Sequence, residues 1–524
     1  MSFVSNTHDE LPAIGRQRWL VLGALVVTLL AVSLDLTALN VALPTLSTAL
    51  RASTGDLQWI VAGYTLTSAI LLLPAGLLGD RYGRKKMLVG GLAVFLAGSV
   101  AAVYVASPGG LIAARTLMGV GSAVIMPLAL SVLLVVFPPA ERPKALAAWT
   151  TASFVGMPLG PIVAGYLLDH FWWGSIFFIN IPVAAVALIA CVALIPESRS
   201  ETARQTDFAG LLLSLGGLSA LMYGVIEQPE RGWGDIRVWG PMVAGAAALG
   251  AFVGWTRRAR VPLIDLELFR DRRFVGGVVP STVMTFALFG VLFAVPQYFQ
   301  GVLDAGPLGT GLRLLPLIAG LMLTARLSPR LVERLGNRFV IVAGVFILVI
   351  GALAGAATSA DDGYAYVAGW LVVVGLGMGL MLPASMTVAI SALSAERAGA
   401  GSAVLLTVRL VGGAFGSAVL GSLLAASYRG HVAVGGLPDT VAETVRRGLG
   451  GGLAVAQRLG DQALLGSVRA AFVHGMDVVL VTGAGLLSLT AVITLVLLPS
   501  RGAEREAARA AAGAGESAHE HLSA

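Results

Sequence analysis

The chain has 524 residues, 56% of them hydrophobic and only 12% charged, with a mean hydropathy of +0.85. Soluble domains are about a quarter charged, so a soluble enzyme or binding domain is excluded and an integral membrane protein is implied. The net charge of +6 belongs to basic loops at a membrane face and gives no ground for a nucleic-acid partner. Long continuous apolar runs, with no alternating ten-residue strand pattern, set the class as all-α and exclude a barrel. A single cysteine, Cys191, excludes a disulfide scaffold, an iron–sulfur cluster and a thiolate zinc site.

Taken in chain order, with about 20 apolar residues per crossing, the pattern predicts spans near 19–43, 57–79, 86–106, 110–136, 144–168, 175–195, 208–228, 238–256, 274–299, 309–328, 338–358, 364–391, 399–427 and 472–498. That makes fourteen transmembrane helices. The first is about 25 residues long and has no small-residue cleavage site, so it reads as a permanent span and not a signal peptide. With the N-terminus inside, the inner segments hold 24 of the 35 Lys and Arg residues and the outer segments 8, while Arg115, Arg313 and Arg409 lie within spans. Both termini are therefore expected in the cytoplasm. Residues 1–18 form the cytoplasmic N-terminus, and the tail 499–524 has no apolar face and is expected to be disordered. The one long outer loop, 428–471, carries two short amphipathic patterns split by Gly450, Gly451 and Gly452, which predicts a small helical hairpin.

Two inner loops repeat. Asp80-Arg81-x-Gly83-x-Lys85 after span two matches Glu333-Arg334-x-Gly336-x-Arg338 after span ten, at an offset of 253. Ala140-Glu141-Arg142 before span five matches Ala395-Glu396-Arg397 before span thirteen, at an offset of 255. Two agreeing offsets predict duplicated six-helix units, 19–195 and 261–498, with two inserted helices in 196–260 (6+2+6). Parallel repeats of this kind are a transporter architecture, with the site between the units and access alternating by rocking.

Four segments carry a resemblance to a known family. Gly76-Leu-Leu-Gly79-Asp80-Arg81-Tyr-Gly83-Arg84-Lys85-Lys86 resembles the signature loop of the major facilitator superfamily. Leu34-Asp35-Leu-Thr37-Ala-Leu-Asn40-Val-Ala-Leu-Pro44 resembles the span-one motif of its fourteen-helix drug:proton antiporter branch. Arg115-Thr-Leu-Met-Gly119-Val-Gly121 resembles the span-four motif. Gly156-Met-Pro-Leu-Gly160-Pro161-Ile-Val-Ala164-Gly165 resembles the antiporter motif of span five, with Ala164 where glycine is usual. The resemblance covers nearly the whole chain. It implies a multi-pass protein of the bacterial plasma membrane that exports antibiotics or other drugs against protons, with no cofactor beyond the proton gradient.

The residues themselves suit that expectation. Asp35 is the one carboxylate deep in a first-unit span, where a charge costs on the order of 3 kcal/mol. Burial favours the neutral form of a carboxyl and a nearby cation the charged form, and Arg115 enters span four at comparable depth. A carboxylate that alternates between this arginine and a wet or empty cavity is a proton switch; a purely structural ion pair joining spans one and four is the other reading. Asn40 and Arg409 are candidates for the substrate cavity, with structural pairing the alternative for Arg409. Asp477 and Glu227 read as interfacial.

Ala152, Gly156, Gly160 and Ala164 fall at fourfold spacing and form a small-residue stripe along span five. With Pro158 and Pro161 bending the helix, the stripe reads either as the seal between the units, the role the resemblance implies for Gly156, Gly160, Pro161 and Gly165, or as ordinary close packing. The loop bearing Gly76, Gly79, Asp80, Arg81, Gly83, Arg84 and Lys85 is an inner-gate candidate. Asp80 is expected at the positive N-terminal end of span thirteen, with Glu333 and Arg334 as the mirror pair.

An intramembrane enzyme is disfavoured because, His474 apart, no histidine lies in a span and neither paired carboxylates nor metal-ligand spacing appear. Exporters of dications in the branch carry acidic residues where this chain has Ala62, Leu405 and Leu406, so a neutral, zwitterionic or anionic small molecule is the expected substrate. Export of an endogenous metabolite or lipid is the alternative within transport. The remaining expected partners are protons and membrane lipid, and a monomer is expected.

Overall fold

The computed structural model describes residues 17–138, 141–198, 207–393 and 398–499. The extreme N-terminus, the tail and the segment bearing Ala395, Glu396 and Arg397 lie outside the described residues. Among the described residues the regular structure is helical throughout: α1 (Gln17–Ala49), α2 (Thr54–Tyr82), α3 (Arg84–Tyr104), α4 (Pro108–Val136), α5 (Arg142–His170), α6 (Ser175–Phe178), α7 (Asn180–Leu194), α8 (Phe208–Arg231), α9 (Ile236–Thr256), α10 (Arg272–Gly301), α11 (Pro307–Arg313), α12 (Leu315–Leu335), α13 (Asn337–Gly355), α14 (Tyr364–Ser391), α15 (Ala398–His431), α16 (Asp439–Arg446), α17 (Leu449–Leu459) and α18 (Gln462–Leu497), with one 3-10 turn at Leu266–Arg270.

Thirteen helical segments among the described residues are long and apolar enough to cross a membrane, α6 with α7 and α11 with α12 each counting as one. The segment expected as span five forms α5, a continuous helix of 29 residues, and is not among those thirteen.

Polar residues set the helix starts. Ser53 and Asp56 form a reciprocal capping box at α2, while Ser107, Asp207, Asp235, Asp271 and Asp461 each cap the helix that follows. Gly83 and Gly336 have φ of 110° and 87°. Each ends one long helix and begins the next, a backbone turn that glycine alone makes without a Cβ clash.

Two groups of helices pack in the same order. α1 lies against α5 and α7 while α4 receives α2 and α3; α10 lies against α15 and α18 while α14 receives α12 and α13. α8 and α9 pair with each other, and α8 covers the seam where α2 meets α15. There Ala62, Leu66 and Ile70 of α2, Met222 and Ile226 of α8, and Ala414 and Ala418 of α15 form one buried apolar cluster.

Away from that seam, the hydrogen bonds and close glycine contacts between the two groups gather at the α1–α2 end of the bundle. Gln300 donates to the Val41 carbonyl at 2.7 Å, and the Leu308 backbone N–H donates to Asp169 at 3.3 Å. At the same end, α17 crosses over α1 and α18, with α16 packed against it. The loop expected over 428–471 is shorter than its polarity suggested, because α15 runs to His431 and α18 already begins at Gln462.

Candidate functional site

Asp35 stands eighteen residues into the 33-residue α1, and Arg115 seven residues into α4. They form an ion pair between Asp35 Oδ2 and Arg115 Nη1, with side-chain exposures of 3% and 1%. Arg115 Nε also donates to the Ile60 carbonyl at 3.4 Å, and its guanidinium lies 4.2 Å from the centre of the Tyr64 ring, a cation–π contact. The second carboxylate oxygen, Oδ1, accepts a 2.9 Å hydrogen bond from Asn180 Nδ2 at the start of α7. Desolvating two charges costs several kcal/mol per ion unless the remaining polar groups are satisfied. Here α1, α2, α4 and α7 each supply part of the compensation.

Asn180 is the residue that sequence reasoning missed. Its only signal was an amide inside the apolar run Ile176 to Leu194. A void of about 10 Å³ borders Asp35 and Asn180 and is closed by Leu34, Ala38, Gly160 and Ala164. It has room for about one water.

The span-five glycines face two different partners. A Cβ at Gly156 would meet Ser33 and Leu30 of α1, and one at Gly160 would overlap the Thr37 hydroxyl and the Leu34 carbonyl of the same helix. These two therefore let α5 lie close against α1 within its own group, one turn from Asp35. Gly165 touches the other group, since a Cβ there would stand 2.5 Å from Cα of Leu308. The Pro161 carbonyl abuts Gly311 of α11 in the same way. The inter-group contact sits at the α11 end of the motif, and Gly156 and Gly160 serve α1.

In the inner loop, Gly79 packs on Leu128 with no room for a Cβ, while Gly76 lies beside Pro127 of α4. Asp80 pairs with Arg84 on the next turn at 2.8 Å. The residues that lead into span thirteen, 394–397, lie outside the described set, so the expected contact of Asp80 with that helix end lies there too. The carboxylate that reaches across is Glu197, which accepts from the Lys85 backbone N–H at 3.2 Å. Arg81 is exposed and lies against Tyr82. Glu333 and Arg334 are exposed at the matching turn.

Asn40 is buried and turns back to the Leu36 carbonyl at 3.5 Å, so it is not joined to Asp35. Arg409 points from α15 toward α10 and α14, 3.5 Å from the Thr285 hydroxyl and 3.4 Å from the Met386 sulfur. Glu227 pairs with Arg231 at the end of α8. Asp477 lies fifteen residues into α18 rather than one turn in, with Oδ1 buried and unpartnered. A second polar node joins the groups: Gln58 of α2 donates to the Ala418 carbonyl at 3.4 Å, and Ser422 of α15 donates to the Val225 carbonyl of α8 at 2.8 Å.

Residues 25–417 match the family described as the Major Facilitator Superfamily. The chain belongs to the Major Facilitator Superfamily. It is 35% identical over 431 residues to the "Tetracenomycin C resistance and export protein" of Streptomyces glaucescens, covering 80% of each chain. It is 31% identical to the "Multidrug efflux pump LfrA" of Mycolicibacterium smegmatis, covering 91% of this chain and 95% of that one. Among solved structures, a bacterial homolog of the human lysosomal transporter Spinster superposes with a TM-score of 0.65 at 18% identity, covering 93% and 99% of the two chains. That likeness is one of fold. The chain is thus a multi-pass protein of the bacterial plasma membrane, built as a major facilitator transporter.

Within this superfamily fold, Ala62 and Leu405 are not cavity-lining. Ala62 is fully buried against Met222 and Ile226 of α8, and Leu405 sits in an apolar cluster with Leu73, Phe252 and Leu263. The inserted α8–α9 pair explains this, because it covers the faces of α2 and α15 that would otherwise meet lipid.

Proposed function

We propose that the protein is a drug:proton antiporter that exports amphipathic organic compounds, neutral or anionic, from the cytoplasm or inner leaflet. The observation that carries this reading is the Asp35–Arg115–Asn180 cluster: a titratable carboxylate in an apolar interior, held by an arginine that cannot release its own proton. In this reading the chain crosses the membrane fourteen times, α5 included. α1 to α7 and α10 to α18 are the duplicated units, and both termini are cytoplasmic.

The α1–α2 end is then the outer end, and the contacts of Gln300 with Val41 and of Gly165 with Leu308 close it. Protonation of Asp35 from the outer side weakens its hold on Arg115 and loosens α1 from α4, which lets the proton-loaded carrier return to the state open to the inside. Release of the proton on the inner side restores the pair. Because Asp35 is already committed to Arg115 and Asn180, a dication would find no free carboxylate beside it. The names of the relatives, resistance and efflux proteins for tetracenomycin C and for multiple drugs, support export over uptake.

The test is substrate movement in proteoliposomes under an imposed pH gradient, for the native protein and for Asp35→Asn. Gradient-driven accumulation in the native protein and its loss in the variant are expected. Equal accumulation by both removes Asp35 from coupling.

A further inference from the structure

Arg115 and Arg409 both lie well inside membrane-crossing helices, and they are in opposite conditions. Arg115 is saturated: Asp35, the Ile60 carbonyl and the Tyr64 ring surround it. Arg409 has no carboxylate partner among the described residues, and its two contacts, with the Thr285 hydroxyl and the Met386 thioether, are both long. A guanidinium offers five N–H donors, so most of them are unclaimed. It stands eleven residues into α15, about 16 Å along the axis from Ala398 at 1.5 Å per residue. Unlike Arg115 it is only partly buried.

The side chain extends between α10 and α14, on the flank of α15 away from α8. α10 is also the helix of this group that meets α1 of the other, so the arginine stands close to the face that the two groups turn toward each other. One turn from it on α15, Gly412 packs on Thr282 of α10, whose hydroxyl is buried without a partner. The neighbourhood therefore combines an uncompensated cation, an unused hydroxyl and a polarisable sulfur suited to an aromatic ring edge. A fixed charge left without a counter-ion inside a membrane protein is expensive, and a ligand anion removes that cost. A planar guanidinium favours a carboxylate or an ionised phenol, which it binds through parallel N–H bonds.

We infer that Arg409 is the anion-recognising residue of the substrate site, and that aromatic amphipaths bearing a carboxylate or acidic phenol are the preferred substrate class. This deepens the exporter reading and rests on it for transport, but the recognition step is measurable as binding alone.

The experiment titrates purified full-length protein in nanodiscs with 9-anthracenecarboxylate and with the matched neutral 9-anthracenecarboxamide, following probe fluorescence. The native protein should bind the acid at least about tenfold more tightly than the amide. Arg409→Gln should lose about tenfold to a hundredfold for the acid and leave the amide unchanged, with Arg409→Lys in between. No preference in the native protein, or a preference that survives Arg409→Gln, overturns the inference. Should the glutamine variant not fold, the native acid-to-amide ratio and the lysine variant decide the matter. Intact acid preference without proton-driven movement would instead overturn the exporter reading and leave the anion site standing.

Discussion

Asn180 donates its amide to the oxygen of Asp35 that Arg115 leaves free, at 2.9 Å. The carboxylate is thereby held from two sides, by α4 and by α7, and either hold can be removed separately. Asp35→Asn keeps the shape, abolishes titration and leaves the buried Arg115 without its counter-charge, so it should eliminate uphill efflux and lower the unfolding midpoint while folded protein still binds ligand. Asn180→Ala should instead leave one buried oxygen unsatisfied, at about 1–3 kcal/mol. A lowered unfolding midpoint in detergent, with residual but poorly coupled transport, is the expected result. An unchanged midpoint would remove Asn180 from the cluster.

Gly165 and Gly160 should fail differently when enlarged. Gly165→Leu meets the backbone of Leu308 and should wedge the two groups apart at the α1–α2 end, giving a proton leak in pH-loaded vesicles. Gly160→Ala meets the Thr37 hydroxyl on α1 and should cost about 1–3 kcal/mol by overpacking, part of it recovered in Gly160→Ala combined with Thr37→Ala. Tight vesicles with Gly165→Leu, or strict additivity in the second pair, would contradict these assignments.

Gly83 and Gly336 turn the chain at matching places with φ of 110° and 87°. Replacing either by Ala should lower stability by about 1–2 kcal/mol, read as a shift of the thermal midpoint. The two losses should add, because the residues are in separate turns. Gly83→Ala should lose more, since the new Cβ also meets the Glu197 carboxylate.

Ala62→Asp tests the insert. On the surface of an open cavity an aspartate there would invite cations. Against Met222 and Ile226, with no exposure, it is a buried charge without a partner, at about 3 kcal/mol in a membrane-spanning helix. Reduced yield of folded protein is expected, with no gain in dication export; a stable variant with new cation efflux would show that α8 leaves this face.

What the sequence made legible and what it hid follow from range. Asp35 and Arg115 could be paired without coordinates because a lone charge in each of two apolar runs has few ways to be compensated. Gly83 and Gly336 were visible because a turn between long helices demands glycine locally. Asn180 was hidden because an amide in a helix has many harmless explanations. The faces of the span-five glycines were hidden for another reason: fourfold spacing says that a helix can approach and does not say which one. The Asp80–Arg84 pair was hidden because both residues sit in a loop whose charges could equally face another helix. That Ala62 lies under α8 was hidden because the position of an inserted helix pair leaves no trace in the pattern of α2.

The seam between α2 and α15 is stitched by Gln58 and Ser422 and roofed by α8 through the Val225 carbonyl. Two bodies joined along such a dry strip and bridged by a third element that touches both resist sliding past one another, since shear would break the Gln58 and Ser422 bonds together. The added helices thus act as a splint laid across the joint.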